Sequence, residues 1–110
     1  MPWIIRDGEV LATLEVATSM WQRTRGLLGR DCIDGALLLR HTRSVHTLGM
    51  RFAIDVAYCD ADLVVRSVAT MVPWRVGLPR PRSRCVLEAS AGAFERWQLQ
   101  PGDQLEVKGL

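Results

Sequence analysis

The run from Arg23 to Asp60, RTRGLLGRDCIDGALLLRHTRSVHTLGMRFAIDVAYCD, constrains the fold of this chain more than any other segment. It sets a capped helix, an apolar strand, a polar crossing and a second strand in succession with hardly a spare residue. The second strand carries one carboxylate, Asp55, among small and apolar neighbours. An ionised group in a core needs partners, because burying it bare is too costly. Asp55 is therefore the leading polar position, although it does not by itself identify a reaction.

The flanking segments extend the pattern. Residues 3–6 (WIIR) and 9–16 (EVLATLEV) sit on either side of Asp7-Gly8, a strong hairpin signal. In the second of these, Val10, Ala12, Leu14 and Val16 share one face, which reads as a half-buried strand. Ser19-Met20-Trp21-Gln22 fits the S-x-x-Q capping box and opens a helix. Met20, Thr24, Leu27 and Leu28 form its expected inward stripe. Gly29 supplies the left-handed stop, and Gly26 is expected to admit a neighbouring strand at close range.

Downstream, Gly35–Arg40 reads as a strand covered on both faces, and His41–Met50 as a polar connection. Phe52–Cys59 and Leu63–Thr70 read as an antiparallel pair turning at Asp60-Ala61-Asp62. Three prolines and a glycine exclude a regular element from Val72–Ser83. Cys85–Ala89 is a strand and Gly92–Gln98 a short helix with Glu95 at its third position. Gln100-Pro101-Gly102-Asp103 is a turn, and Leu105 and Val107 close the chain as an inward-facing pair. The sum is an α+β, β-rich single domain over residues 1–110. Its curved, mostly antiparallel sheet of six to seven strands is barrel-like and carries two short helices.

Composition removes several function classes. No segment approaches the roughly 18 apolar residues of a membrane span. The N-terminal MPWIIRDGEV has no basic, then apolar, leader, so a cytoplasmic location is expected. Three cysteines, none in a C-x-x-C pair, argue against a disulfide framework or a structural zinc site. A net charge of +2 is too weak to argue nucleic acid alone. The cations are nearly all arginine, however, and arginine makes planar two-point contacts with carboxylates and phosphates.

Taken together, R-T-R-G-L-L-G-R, G-A-L-L-L, S-V-H-T-L-G-M-R-F-A-I-D-V-A-Y-C-D, V-L-E-A-S-A-G-A-F and Q-P-G-D-Q-L resemble the domain-of-unknown-function 192 family, the uncharacterised ACR proteins. The resemblance spans about Val10 to Val107. It implies a compact β-rich domain, with no established activity to carry over. Its motif positions fall on Arg25, Gly26, Leu27, Arg30, His46, Met50, Asp55, Glu88, Gly92, Gly102 and Asp103. The branch most resembled implies a small bacterial protein associated, by context alone, with pilus or secretion genes. Two departures stand out: Ala53 replaces a frequent proline, and Gln98 replaces a frequent glycine, which strains Gln98 if the turn stays left-handed.

Each candidate site has a plain and a sharp reading. Asp55 is either a structural carboxylate, tied to amides or to Arg25, Arg30 or Arg51, or a general base; the structural reading has the greater weight. His46, with His41, reads first as a hydrogen-bonded structural histidine; no metal-ligand spacing is present and no metal or cofactor is expected. Neither a nucleophile elbow nor a phosphate loop occurs. Trp74, Arg75, Arg80, Arg82 and Arg84 form an arginine-rich, aromatic loop suited to an acidic protein surface, and less well to nucleic acid. Asp103 reads as a turn cap.

These readings favour a non-enzymatic binding or accessory domain whose contact surface joins the arginine loop with a groove beside His46, Met50 and Asp55. A small hydrolase-like enzyme using Asp55 with His46 is the alternative. A weak RNA or single-strand binder working through the arginine loop is the second.

Overall fold

A computed structural model describes residues 1–110. Seven strands and two helices follow in the order β1 (Trp3–Arg6), β2 (Glu9–Ala17), α1 (Met20–Leu27), β3 (Ala36–Arg40), β4 (Ile54–Cys59), β5 (Val65–Met71), β6 (Cys85–Ser90), α2 (Ala93–Trp97) and β7 (Leu105–Lys108). Asp7 and Gly8 both take positive φ, 51° and 79°. This is the twist a two-residue hairpin needs, and it pairs β1 with β2.

The strands form one mixed sheet ordered β5-β4-β6-β3-β2-β1-β7. Every neighbouring pair is antiparallel except β2–β3, which α1 connects. A crossover helix returns the chain in its original direction, so these two strands run parallel. The sheet is strongly curved and stays open. Its two edges meet at one corner, where Val64 and Gln104 form an isolated bridge. There the Val65 N–H donates to the Asp103 carbonyl at 2.9 Å, and the Leu105 N–H to the Leu63 carbonyl at 3.0 Å.

Two apolar layers cover the two faces. On one, Ile4, Leu14, Leu38, Ala57 and Leu87 pack with Phe94 of α2. On the other, Leu37, Leu39, Val45, Val56 and Val86 pack with Leu27 of α1. Strand alternation sends Leu38 one way and Leu37 and Leu39 the other, so β3 is covered on both sides. Gly35, at φ +74°, starts this strand where an added Cβ would lie 2.5 Å from the Thr13 carbonyl oxygen, a space only glycine fits.

Two local expectations are corrected. Gly26 faces open space, so no strand approaches it. The buried residues of α1 are Arg23 and Leu27, whereas Leu28 is 54% exposed. Leu28 is the C-cap, where the backbone has already left helical geometry, so the helical stripe ends before it.

Candidate functional site

Asp55 sits on β4 and points to the α2 side, in register with Ala57 and Cys59. It is 5% exposed, yet the carboxylate is fully engaged. One oxygen accepts the Thr70 hydroxyl at 2.8 Å. The other accepts the backbone N–H groups of Gly92 at 2.9 Å and Phe94 at 3.1 Å. Gly92 is the N-cap of α2 and has no side chain to offer, so Asp55 caps that helix from a different strand. Beside it lies an open cleft of about 680 Å³, lined by Thr70, Phe94, Glu95 and Gln98 among others.

No arginine reaches Asp55. Arg30 pairs with Asp34 at 3.5 Å, Arg51 donates to the Gly29 carbonyl at 3.1 Å, and Arg25 is exposed. Of the two expected kinds of partner, amides or one of these three arginines, it is the amides that hold Asp55, joined by the Thr70 hydroxyl, and the arginine branch is corrected. These donors converge because β5 and the start of α2 flank β4 at that point.

The buried ion pair lies elsewhere. Arg23 of α1 reaches Glu88 of β6 with two parallel contacts, Nε to Oε1 at 2.8 Å and Nη2 to Oε2 at 3.0 Å. Both side chains are 0% exposed. The third arm of Arg23, Nη1, donates to the His46 carbonyl at 2.6 Å. Two parallel N–H···O bonds are the geometry of a charged pair. Burial pushes the Glu88 carboxyl above its ordinary range, and Arg23 opposes that push. The sequence marks Glu88 only as a motif position of the family resemblance and gives Arg23 no role. The available signal was Glu88 alternating among the apolar residues of CVLEAS, as Asp55 does in IDVAYC.

His46 belongs to the same side as this pair. Its Nδ1 accepts the Leu48 N–H at 3.2 Å, which leaves the ring proton on Nε2. Burial first, and the Arg23 charge second, hold its pKa below the ordinary value. Met50 is 2% exposed and packs in the α1-side core, so it offers no contact surface. Asp55 faces α2, while His46, Met50 and Val45 lie on the α1 side. The joint groove expected beside His46, Met50 and Asp55 does not form, nor does an Asp55–His46 couple. The sheet itself stands between them.

Buried Thr47 holds the start of the arginine loop. The Thr47 hydroxyl donates to the Val72 carbonyl at 2.7 Å and accepts the Arg75 N–H at 3.0 Å. Its backbone exchanges bonds with Arg75 at 2.8 Å and Trp74 at 3.0 Å. These bonds fix Trp74 in the left-handed region, φ 64°, with its side chain 66% exposed. The loop then runs beside the 42–46 connection: Gly77 N–H to Val45 O is 2.8 Å, Arg80 N–H to Arg43 O 2.7 Å, and Thr42 N–H to Arg84 O 3.2 Å. Arg75, Arg80, Arg82 and Arg84 are all exposed. Arg80 also stacks over Tyr58, 4.7 Å from the ring centre.

Asp103 accepts the Gln100 N–H at 3.0 Å and pairs with Arg6 at 3.2 Å. The cysteines are free, and burial, followed by the nearby Cys85 and Asp60, pushes the Cys59 thiol up to about 12. A thiol so disposed is a core hydrophobe at neutral pH. No three His, Cys, Asp or Glu side chains gather closely enough to hold a metal ion. No helix is long and apolar enough to cross a membrane.

A family model described as uncharacterized ACR, a domain of unknown function, matches residues 3–107. A UPF0127 protein of Pyrococcus horikoshii is 33% identical over 105 residues, which cover 91% of this chain and 88% of that protein. Another, from Pyrococcus abyssi, is 26% identical over 84% of each chain. A crystal structure from Sinorhizobium meliloti, described as a candidate transcription regulator, superposes with a TM-score of 0.78 at 26% identity over 99% of this chain and 93% of that one. A protein of unknown function from Novosphingobium aromaticivorans gives a TM-score of 0.76 at 19% identity, over 96% and 82%. The fold is thus shared between archaeal relatives and bacterial structures.

Proposed function

The chain belongs to the domain-of-unknown-function 192 family, the uncharacterized ACR proteins, which brings no assigned activity, and we propose that it is a binding or accessory domain whose arginine face docks an acidic partner protein. One observation carries this reading. The adjoining segments 40–46 and 72–84 bring Arg40, Arg43, Arg75, Arg80, Arg82 and Arg84 to the surface with no aspartate or glutamate between them. The chain as a whole is nearly balanced, at +2, so this is segregation rather than excess. Exposed Trp74 within that face supplies the aromatic anchor that binding hot spots favour. An acidic surface on a bacterial pilus or secretion component would meet the same chemistry.

The enzyme alternative has less support. Its base, Asp55, already accepts three hydrogen bonds, and its partner His46 lies across the sheet. A nucleic-acid reading draws on the relative described as a candidate transcription regulator and on the same arginines.

The test is capture by crosslinking in cells. Arg80→Ala with Arg82→Ala should lose the partner, whereas Asp55→Asn should keep it; equal capture by the two variants removes the arginine-face proposal. Anisotropy with single-stranded RNA separates the second reading, which requires affinity falling steeply between 50 and 200 mM salt.

A further inference from the structure

Both histidines of the chain, His41 and His46, line one cleft of about 450 Å³ on the α1 side. Arg40 and Arg43 line it too, with Ser19 at the start of α1 and no carboxylate anywhere in its wall. The four ion pairs of the molecule use Arg6, Arg23, Arg30 and Arg66, so the Arg40 and Arg43 guanidinium groups are unpaired. Ser19 Oγ accepts the Gln22 N–H at 3.1 Å, which leaves its hydroxyl proton free to donate. His46 keeps a ring N–H on Nε2 for the same purpose, because Nδ1 is occupied by Leu48. Met20 and Val76 add apolar surface to the wall, beside the hydroxyl residues Thr18, Thr42 and Ser44.

We propose that this cleft is a binding site for a small phosphorylated organic molecule. The guanidinium fork matches the oxygens of a phosphomonoester. Hydroxyl and imidazole donors suit the remaining oxygens, and the apolar wall suits the carbon skeleton. The size lies within the ~300–1,000 Å³ range of small-molecule sites. The cleft shares Arg40 and Arg43 with the arginine face of the partner-binding proposal, but Arg80 and Arg82 do not line it, so the two readings are tested apart.

The two imidazoles are built-in reporters. Their ¹H–¹³C resonances are followed on the full chain while inorganic phosphate, then ribose 5-phosphate, is added at constant ionic strength. Both histidines should shift saturably, with ribose 5-phosphate the tighter ligand. Arg40→Ala with Arg43→Ala should weaken binding about tenfold or more, while Arg80→Ala with Arg82→Ala leaves it unchanged. A dispersed amide spectrum checks that each variant is folded. Shifts that chloride reproduces, or binding that ignores Arg40 and Arg43, overturn the proposal. A parallel arm uses sedimentation with phosphatidic acid vesicles. Binding there without saturation by either free phosphate assigns the cleft to a lipid headgroup and overturns the small-molecule site.

Discussion

At the scale of single residues, His46 gives stability a pH dependence of defined sign. Burial and the Arg23 charge hold the folded pKa below the ordinary 6.5. As pH falls through about 6.5, the unfolded chain takes up its proton before the folded one does. The stability that neutral His46 contributes is therefore present above that value and is lost as pH drops below it. Urea midpoints at pH 7.5 and 5.5 should show a fall in wild type, and a smaller fall in His46→Gln. Equal falls would remove His46 as the source. Asp55 is the contrasting residue: its position was legible from strand alternation, and amides were one of the two kinds of partner expected, but which ones was not. The sequence offers three nearby arginines as well, while the fold places a threonine hydroxyl and the amides of Gly92 and Phe94 at hand.

Among elements, α2 shows how one side chain stabilises another segment. It has five residues, and its N-cap is a glycine at φ 98°, so it carries no cap of its own. Its far end is Gln98, held left-handed at φ 55°, as expected from a frequent glycine site filled by glutamine. So short a helix is marginal without tertiary support. Asp55→Ala strips the acceptor from the Gly92 and Phe94 amides and should cost about 1–3 kcal/mol. Hydrogen exchange at those two amides should quicken while β3 amides hardly change. Unaltered exchange at Gly92 and Phe94 would show that Asp55 does not secure the helix. The first helix teaches the converse lesson. Its Ser19 cap and Gly29 stop were readable locally, but its buried face was misjudged because an arginine occupies it.

For the molecule as a whole, the Arg23–Glu88 pair ties α1 and the 42–46 connection to the sheet centre. Removing one partner strands a buried charge, so Arg23→Ala should cost about 3–5 kcal/mol in urea unfolding. Replacing both, as Arg23→Met with Glu88→Leu, should recover most of that loss. A small effect of Arg23→Ala would mean the pair is dispensable. The arginine face and the phosphate-sized cleft both lie along the connection that this pair anchors, so the double swap also tests whether the surface needs the pair for its shape.

The sequence by itself determined what depends on a few neighbouring residues. The Asp7-Gly8 hairpin, the Ser19 cap, the alternation that buries Asp55 and the proline-rich loop are all set by local φ/ψ and side-chain chemistry. Tertiary structure alone decided the strand order, the single parallel pair and the face on which each polar group lies. Arg23 and Glu88 are 65 residues apart, and nothing local to either specifies the other. Periodicity tells a strand that it has two faces. Only packing against the rest of the sheet tells it which helix each face will meet.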